Sequence, residues 1–525
     1  MRQKDMKSTI CTSILAIAAM ALIPIASQGQ TLKKRMAEQY FEVFDYPKAA
    51  AIYEDLVASG KATDTDMRAL ALAYKRMQEW DKAEKTYARM MGTGTARPID
   101  MLEYAEVLRN NGKYEDALTW YENYADQNPD DGKATTYLKQ KGLFDRLLKD
   151  STGSVVRKLP INSDKADIGV TVMEELLLFS SARGEGAGGR TAYNWDGEPY
   201  LNVYSALLKG ETAEDPLVMR KDVNSRFHDG IPSFDSIAHR MYYTRNNFHY
   251  GVMDKAANGE LKLGIFYLDV VEGQFGNKEW GPLMPFDHND AQYNTGHPCV
   301  APNGRKLFFV SDRPGGLGGT DIWVCDDLGN QWGAPYNIGA PINTPGNEMY
   351  PFIAQDSTLF FASNGHPGLG GYDIFRARLR PAGPGRVFNL GHPLNTRHNE
   401  HGLILLADDS TGFFSSDRPG GMGSDDIYGC TVRPQMLRIE GIVRDKDSKE
   451  PIEGATILVK NEKGQHIDRF TLTRLPGGKF ELHVAYEEVY HLMASKNGYS
   501  QSEVTVNTDT DALDNIVLEL VKYDD

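Results

Sequence analysis

Cysteine and long apolar segments are both scarce in this sequence. Only four of its 525 residues are cysteine, and Cys299, Cys325 and Cys430 are the three that follow the N-terminal segment. Neither their odd number nor their spacing fits a zinc-binding pattern, so we expect buried free thiols and no metal. No apolar run, including residues 14–25, reaches the roughly 20 residues that cross a bilayer. This excludes a multi-span membrane protein.

Catalytic motifs and excess positive charge are also missing. The sequence contains no His-Glu-x-x-His and no Gly-x-Ser-x-Gly element. His398 and His401 have the wrong spacing for two metal ligands on one helical face. The formal net charge of −15 opposes binding to nucleic acid. We therefore predict no catalytic residue and no cofactor, although a hydrolase site assembled from distant loops stays open.

The N-terminus is typical of a secretory signal. Basic residues among the first seven precede the apolar run of residues 14–25, and small and polar residues follow it. Cleavage after Gly29 would place Ser27 and Gly29 at the two small-residue positions. We therefore expect an exported chain that begins at Gln30, and an uncleaved membrane anchor is the alternative.

A 34-residue period runs from about residue 31 to residue 130. The recurring columns are Ala37/Ala71/Ala105, Tyr40/Tyr74/Leu108, Tyr46/Trp80/Tyr114, Ala49/Ala83/Ala117 and Tyr53/Tyr87/Tyr121. Small residues in such columns let two helices approach closely, and aromatic residues fill the gaps between helix pairs. The pattern resembles the tetratricopeptide repeat, and we expect a capping helix over residues 133–148.

The resemblance implies a concave groove that binds a peptide or another protein. Counting along the family pattern puts five basic residues on the groove side: Lys34, Arg68, Lys75, Arg76 and Arg109. Such a groove would suit an acidic or C-terminal carboxylate ligand. The alternative is that these residues lie on solvated helix faces.

A longer repeat follows between about residues 151 and 434. Its clearest copies carry the triplets Asp321-Ile322-Trp323, Asp373-Ile374-Phe375 and Asp426-Ile427-Tyr428, which are 52 and 53 residues apart. Two weaker copies lie upstream, and a Pro-Ile/Leu-Asn turn recurs at residues 160–162, 341–343 and 393–395. These units resemble the WD40-like repeats of TolB-type propellers. We predict a five-bladed β-propeller, with six blades as the alternative.

The recurring carboxylates of these units are predicted to be structural. A catalytic site occurs once in a chain, whereas Asp321, Asp373 and Asp426 occupy equivalent places. Each can accept hydrogen bonds from the Gly-rich turn that precedes it. Calcium bound by these carboxylates and by turn carbonyls is the alternative.

From about Leu437 the sequence alternates in the manner of short strands. Ile439, Gly441 and Val443 share one face. The stretches 441–445, 451–455, 478–482 and 496–499 resemble the carboxypeptidase regulatory-like domain, a transthyretin-like β-sandwich. This resemblance implies a folding or docking module without peptidase activity.

Together these parts predict a multidomain chain. The expected divisions are a signal peptide (1–29), a tetratricopeptide repeat domain with its capping helix (30–150), a WD40-like β-propeller (151–434) and a β-sandwich (435–525). This order resembles PorE-like, OmpA-family envelope proteins of type IX secretion and gliding systems. Those relatives continue into an OmpA-like domain that holds peptidoglycan, whereas this sequence stops at Asp525. Direct peptidoglycan binding is therefore not expected.

The resemblance implies a non-catalytic scaffold or adaptor in the periplasm. Its partners would be proteins of the periplasm or outer membrane, including secretion-system subunits, and it would associate with the outer membrane through them. The rival hypothesis is a glycan-binding protein or hydrolase that uses the central mouth of the propeller. A cluster of unrepeated polar residues at that mouth would favour the rival.

Overall fold

The computed structural model describes residues 31–139, 142–149, 153–185, 189, 191–220, 223–272, 278–329, 331–433, 436–471, 477–485, 488–508 and 513–523. The predicted signal peptide lies outside these residues, and so do the positions on either side of the predicted divisions at 150/151 and 434/435. Within them, no helix combines the length and the apolar character of a membrane-spanning segment.

The N-terminal part consists of helices. They are α1 (31–42), α2 (Tyr46–Ala58), α3 (Asp64–Arg76), α4 (Trp80–Thr93), α5 (Pro98–Asn110), α6 (Tyr114–Gln127), α7 (Gly132–Lys139) and α8 (Leu143–Leu148). Of these, α2 to α7 pack on one another in chain order. Both alanine columns of the 34-residue period are completely buried: Ala37, Ala71, Ala105, Ala49, Ala83 and Ala117. Alanine at these positions lets neighbouring helices approach closely, and the predicted helical repeats are confirmed.

The segment predicted as one capping helix forms two short helices instead. Gly142, which directly precedes α8, has a φ of +68°. This left-handed conformation does not fit inside a right-handed helix, and glycine adopts it without a steric penalty. The prediction of a continuous helix over residues 133–148 was therefore wrong.

The middle part contains five antiparallel sheets. Strand β1 (Val155–Lys158) comes first in the chain but belongs to the last sheet. Sheet 1 consists of β2 (Asp167–Met173), β3 (Leu176–Ser181), β4 (Asn202–Lys209) and β5 (Thr212–Val218). Sheet 2 consists of β6 (Asp229–Asp235), β7 (Arg240–Asn246), β10 (Leu263–Glu272), β11 (Lys278–Trp280) and β12 (Met284–Pro285), beside a hairpin of β8 (Phe248–His249) and β9 (Val252–Met253).

The other three sheets repeat the same order of strands. Sheet 3 consists of β13 (Thr295–Val300), β14 (Lys306–Ser311), β15 (Asp321–Asp326) and β16 (Tyr336–Asn337). Sheet 4 consists of β17 (Glu348–Ile353), β18 (Thr358–Ser363), β19 (Asp373–Arg380), β20 (Gly383–Pro384) and β21 (Phe388–Asn389). Sheet 5 consists of β22 (Glu400–Leu405), β23 (Thr411–Ser416), β24 (Asp426–Thr431) and β1.

The five sheets form a closed ring. The first strand of each sheet contacts the first strand of the next, and β22 of sheet 5 contacts β2 of sheet 1. Strand β1 pairs antiparallel with β24, with Val155 opposite Thr431, so the beginning of this region completes its last sheet. Closure leaves no gap in the row of sheets. We call this body the sheet ring and the first strand of each sheet its inner strand.

One asparagine clamps the third strand of every sheet. The side-chain amide of Asn343 donates to the carbonyl of Ile322 (3.0 Å), and its oxygen accepts from the N–H of the same residue (2.9 Å). The other four pairs are Asn162–Ile427, Asn224–Val203, Asn289–Ile265 and Asn395–Ile374. Each asparagine lies shortly before the inner strand of the following sheet. The clamps therefore fix the place where the chain passes from one sheet to the next.

The C-terminal part has two sheets that contribute to one apolar core. One consists of β28 (Lys479–Ala485), β25 (Met436–Asp445) and β31 (Ile516–Leu520). The other consists of β27 (His466–Thr471), β26 (Thr456–Asn461), β29 (Val489–Ser495) and β30 (Ser502–Asn507). Ile439 and Val443 are completely buried, as the alternating pattern predicts. Cys299, Cys325 and Cys430 in the sheet ring are buried and free, which confirms the predicted buried free thiols.

We expect Asn343→Ala to destabilise the sheet ring. The substitution leaves the N–H of Ile322 buried without a partner, which costs roughly 1–3 kcal/mol, and removes one of the two donors to its carbonyl, which also accepts from the N–H of Ile338 (3.2 Å). The melting temperature measured by circular dichroism should fall by several degrees. Asn303→Ala is the matched control, because Asn303 is exposed in the turn before β14 and accepts a single bond from Arg305. Equal shifts for both variants would contradict the role of the clamp.

Candidate functional site

Three of the five predicted groove residues are held by carboxylates of the following helical repeat. The pairs are Lys34 with Asp66, Arg68 with Asp100 (2.8 Å), and Lys75 with Glu103 and Glu106. The first two pairs are related by the 34-residue period in both partners. Burial opposes the charged form of Lys75, but Glu106 and Glu103 outweigh it and raise the pKa of this amine. The surface that was predicted to be basic is therefore largely neutralised by its own ion pairs.

The other two predicted residues lie where the helices meet the sheet ring. Arg109 is only 4% exposed, and its guanidinium carbon lies 5.1 Å from the ring centre of Tyr137. The hydroxyl of Tyr137 in turn accepts a hydrogen bond from the N–H of Gly368 in sheet 4 (3.2 Å). The carbonyl of Arg76 accepts from the indole N–H of Trp195 (3.2 Å). The structure thus places Lys34, Arg68 and Lys75 on one surface, and Arg76 and Arg109 at the junction.

The turn within each helical repeat contacts the sheet ring. The turn residues Phe44, Gln78 and Gly112 are spaced by 34 residues and all have a positive φ. The contacts are a stack of Phe44 on Trp195 (5.8 Å between ring centres), a hydrogen bond from Asn399 to Gln78 (3.0 Å), and one from Arg397 to the carbonyl of Asn111 (3.1 Å). The helical repeats therefore stand on the ring through equivalent turns.

Leu369 belongs to sheet 4 but packs within the apolar core of the helices. It lies at the tip of the Gly-rich loop before β19, is completely buried, and belongs to the apolar core of the helices. The same loop in sheets 3 and 5 places Leu317 and Met422 at its tip, where they are 52% and 53% exposed. The loop is thus repeated, but its burial by helices occurs once among these three copies.

We expect Leu369→Ala to loosen the junction while Leu317→Ala does not. Truncation of a fully buried leucine typically costs about 2–5 kcal/mol, whereas truncation of an exposed one costs little. Hydrogen exchange of the amides in α6, α7 and α8 should accelerate in the first variant only. If both variants exchange like the unmodified chain, Leu369 does not hold the two parts together.

The carboxylates of the repeated triplets have the structural role that was predicted for them. Asp321 accepts from the N–H of Leu317 (2.5 Å), and Asp373 and Asp426 accept from the N–H groups at the same place in their own loops (2.7 and 2.6 Å). In the residues that the structure describes, no group of three or more His, Cys, Asp or Glu side chains is arranged to hold a metal ion. The predicted hydrogen bonds to the Gly-rich turns are confirmed.

One buried glutamate departs from the charge pattern of the ring. Inner strands begin with an acid that pairs with an arginine of its own sheet in Asp167–Arg183 (2.7 Å), Asp229–Arg245 (2.9 Å) and Glu400–Arg418 (3.2 Å). In sheet 4, Gly365 stands where Arg418 stands in sheet 5. Glu348 instead accepts bonds from Thr344 and from the hydroxyl of Ser363 (2.7 Å). Burial raises the pKa of Glu348 to about 7, although these hydrogen bonds oppose the shift.

We expect Glu348 to make the sheet ring less stable as the pH rises. Its carboxyl holds a proton more tightly in the folded chain than in the unfolded chain, so stability falls between about pH 4.5 and pH 7. Glu348→Gln should flatten this part of the pH profile and raise the melting temperature at about pH 8. Burial raises the pKa of Glu400 to about 7 as well, but Glu400→Gln deprives Arg418 of its carboxylate, so this contrasting variant should lower stability at that pH. Identical pH profiles for Glu348→Gln and the unmodified chain would disprove this.

Bulges in the inner strands line the centre of the ring. Each inner strand has one residue with a positive φ at the bulge: Gly169, Ile231, His297, Tyr350 and Gly402. In three cases its N–H donates to a hydroxyl of the preceding sheet, namely Gly169 to Ser415 (3.1 Å), Ile231 to Ser180 (2.7 Å) and His297 to Thr244 (2.7 Å). In sheet 3 the equivalent residue is Val310, which has no hydroxyl. The N–H of Tyr350 therefore donates to Nδ1 of His297 (3.3 Å).

Three unrepeated rings stack at this centre. The ring of Tyr350 lies 4.1 Å from His297 and 4.5 Å from His401, measured between ring centres. Nε2 of His401 lies 3.4 Å from Asp425. Both histidines belong to inner strands, so they occupy the centre of the ring and not its outer loops.

A cavity of about 830 Å³ opens above the stack, between the mouth of the ring and the turn after α1. Its aromatic lining includes Phe44, Tyr193, Trp195, Tyr200 and Phe227. Sequence reasoning missed these residues because they do not repeat. The available signal was the three aromatic residues at 193–200 in the insert between β3 and β4, where sheets 3 and 5 have only a Gly-rich turn.

The architecture defines a helical-repeat protein whose repeats dock on a ring of β-sheets. Residues 67–98 match the family model of the tetratricopeptide repeat. No curated protein is significantly similar to the chain in sequence.

The chain is also weakly similar to several solved structures. With TolB from Acinetobacter baumannii it shares 15% identity over 59% of this chain and 58% of that chain, with a TM-score of 0.28. With a protein described as TolB from Agrobacterium tumefaciens it shares 12% identity over 64% of this chain and 99% of that chain (TM-score 0.32). With an α-L-arabinofuranosidase from Lactobacillus brevis it shares 10% identity over 56% of this chain and 95% of that chain (TM-score 0.33). TM-scores this low support no conclusion about activity or partners.

Proposed function

We propose that this chain is a non-catalytic scaffold or adaptor that brings proteins together in the periplasm. The observation that carries the proposal is the way in which the helical repeats are mounted. Tetratricopeptide repeats generally mediate contacts between proteins, and here the turns, through Phe44, Gln78 and Asn111, make the contacts to the sheet ring. The helix surface that carries Lys34 and Arg68 is then available to a partner.

The ion pairs of that surface refine the proposed ligand. Lys34 and Arg68 already face Asp66 and Asp100, so an acidic ligand would compete with two carboxylates of the chain itself. We therefore expect the groove to read the shape and backbone of an extended peptide as well as its charge. The proposal therefore keeps the predicted groove but relies less on a carboxylate group in the ligand.

The wider proposal concerns architecture and location. The five sheets would be the blades of a five-bladed propeller, and the two C-terminal sheets a transthyretin-like sandwich, with divisions near residues 150 and 434. Export by the N-terminal signal would place the chain in the periplasm, where partners hold it at the outer membrane. The order of the three parts supports a role in type IX secretion or gliding.

The test is recovery of partners by the full chain from an envelope extract of the native organism. We expect secretion-system or outer-membrane subunits to be recovered, and the double variant Lys34→Gln/Arg68→Gln to recover about tenfold less. This variant leaves Asp66 and Asp100 hydrogen-bonded to Thr63 and Arg97, so the helices should stay folded by circular dichroism. The control is Lys85→Gln on the exposed face of α4. Equal recovery by both variants would refute the groove, and recovery of none of these subunits would refute the adaptor function.

A further inference from the structure

The mouth of the sheet ring is only partly covered by the helices. Their contacts reach Trp195 in sheet 1, Leu369 in sheet 4, and Arg397 and Asn399 at the start of sheet 5. The cavity of about 830 Å³ lies beside these contacts and is lined by sheets 1, 2 and 3, by Tyr350 of sheet 4 and by residues 42–44. This volume is within the range of small-ligand sites.

The interior of the cavity carries almost no free charge. Arg245 pairs with Asp229 (2.9 Å), and Lys262 pairs with Glu260. Glu42, which lies exposed on the rim, is the one charged lining residue without an ion pair in the described part of the chain. A strongly charged ligand would therefore find little compensation inside.

Two histidines supply neutral hydrogen-bond donors to the lining. Nδ1 of His228 accepts the N–H of Leu201 (3.2 Å), and Nδ1 of His297 accepts the N–H of Tyr350 (3.3 Å). Each neutral ring must then carry its proton on Nε2, where it can donate. Burial lowers the pKa of His228 to about 4 and that of His297 to about 3, so both rings are neutral at ordinary pH.

The aromatic wall is rigid because its rings hold one another. Tyr200 meets Phe227 edge to face at 5.8 Å and His228 at 4.8 Å between ring centres. Tyr193 meets His228 edge to face at 4.6 Å. Burial raises the pKa of Tyr193 to about 12, so its hydroxyl stays protonated. The wall thus combines fixed aromatic surfaces with uncharged hydroxyl and imidazole groups.

We propose that this cavity binds a neutral saccharide. A pyranose ring has apolar C–H faces that pack on aromatic surfaces, and its rim of hydroxyl groups exchanges hydrogen bonds with phenol and imidazole groups. Both requirements are met here by residues that do not repeat around the ring, which is the feature expected of a site. The inference takes up the glycan-binding alternative predicted from the sequence, and it can hold beside the adaptor function because it concerns the mouth of the ring and not the helical groove.

The experiment titrates the full chain with defined oligosaccharides. The neutral probes are hexamers of glucose, xylose and N-acetylglucosamine, the charged probe is a galacturonate hexamer, and the readouts are calorimetry and tryptophan fluorescence. We expect at least one neutral probe to bind saturably, with an affinity that changes little between about 50 mM and 500 mM salt. Tyr200→Ala and Phe227→Ala should each weaken binding at least about tenfold.

The matched control is Tyr250→Ala, which removes an exposed tyrosine of the neighbouring hairpin outside the cavity and should leave binding unchanged. Tyr200→Phe keeps the ring and removes the hydroxyl, so it should weaken binding less than Tyr200→Ala and separates loss of contact from loss of fold. The proposal is overturned if none of the neutral hexamers binds at millimolar concentration, if the galacturonate hexamer binds as well as they do, or if both wall variants bind normally.

Discussion

The asparagine clamp is the interaction on which the rest of the structure depends. Its amide satisfies both backbone groups of one third-strand residue, as Asn343 does for Ile322. Because the inner strand of the following sheet begins a few residues later, the clamp also fixes where that sheet starts relative to the preceding one. Five such clamps place the inner strands around one centre, and this placement creates the mouth, the bulges and the platform for the helices.

Function in this ring is expected where the repeat is broken. Val310 occupies the place of a hydroxyl, so His297 takes over as acceptor and enters the centre of the ring. Gly365 occupies the place of an arginine, so Glu348 is buried without a cation in the described part of the chain. Each exception leaves a polar side chain in an environment that its counterparts in the other sheets do not share. Residues that repeat stabilise the ring, whereas residues that do not repeat place distinct polar side chains at its centre.

Much of the fold could be predicted from the sequence because its interactions repeat. The alanine columns predict a helical array, and the Asp-Ile-aromatic triplets predict a series of similar sheets. The Pro-Ile/Leu-Asn turns mark three of the clamps. Asn224 and Asn289 make the same clamp without that local signature, so they escape a search by motif. Gly142 breaks the last helix through its backbone conformation, which composition alone does not reveal.

The site was harder to predict because its contacts join distant parts of the chain. The partners of Lys34 and Arg68 are 32 residues further on, within the next repeat, so a count of groove positions finds the cations without their carboxylates. Trp195 and Arg76 are 119 residues apart, and no periodicity relates them. Tyr193, Trp195 and Tyr200 of the cavity lining belong to an insert that has no counterpart in sheets 3 and 5. Such contacts can be identified only from the three-dimensional arrangement of the ring.

The docking of Leu369 also fixes the rotational setting of the helices on the ring. Leu317 and Met422 show that sheets 3 and 5 have a similar apolar loop tip, so the ring by itself presents more than one similar docking position. The helices dock at the tip on sheet 4, and Trp195 holds them on the side of sheet 1. If the helices docked one sheet further round the ring in either direction, they would cover a different part of its mouth and expose the part that they now cover. Leu369 and Trp195, together with the bonds from Arg397 and Asn399, thereby orient the opening of the ring relative to the helical surface.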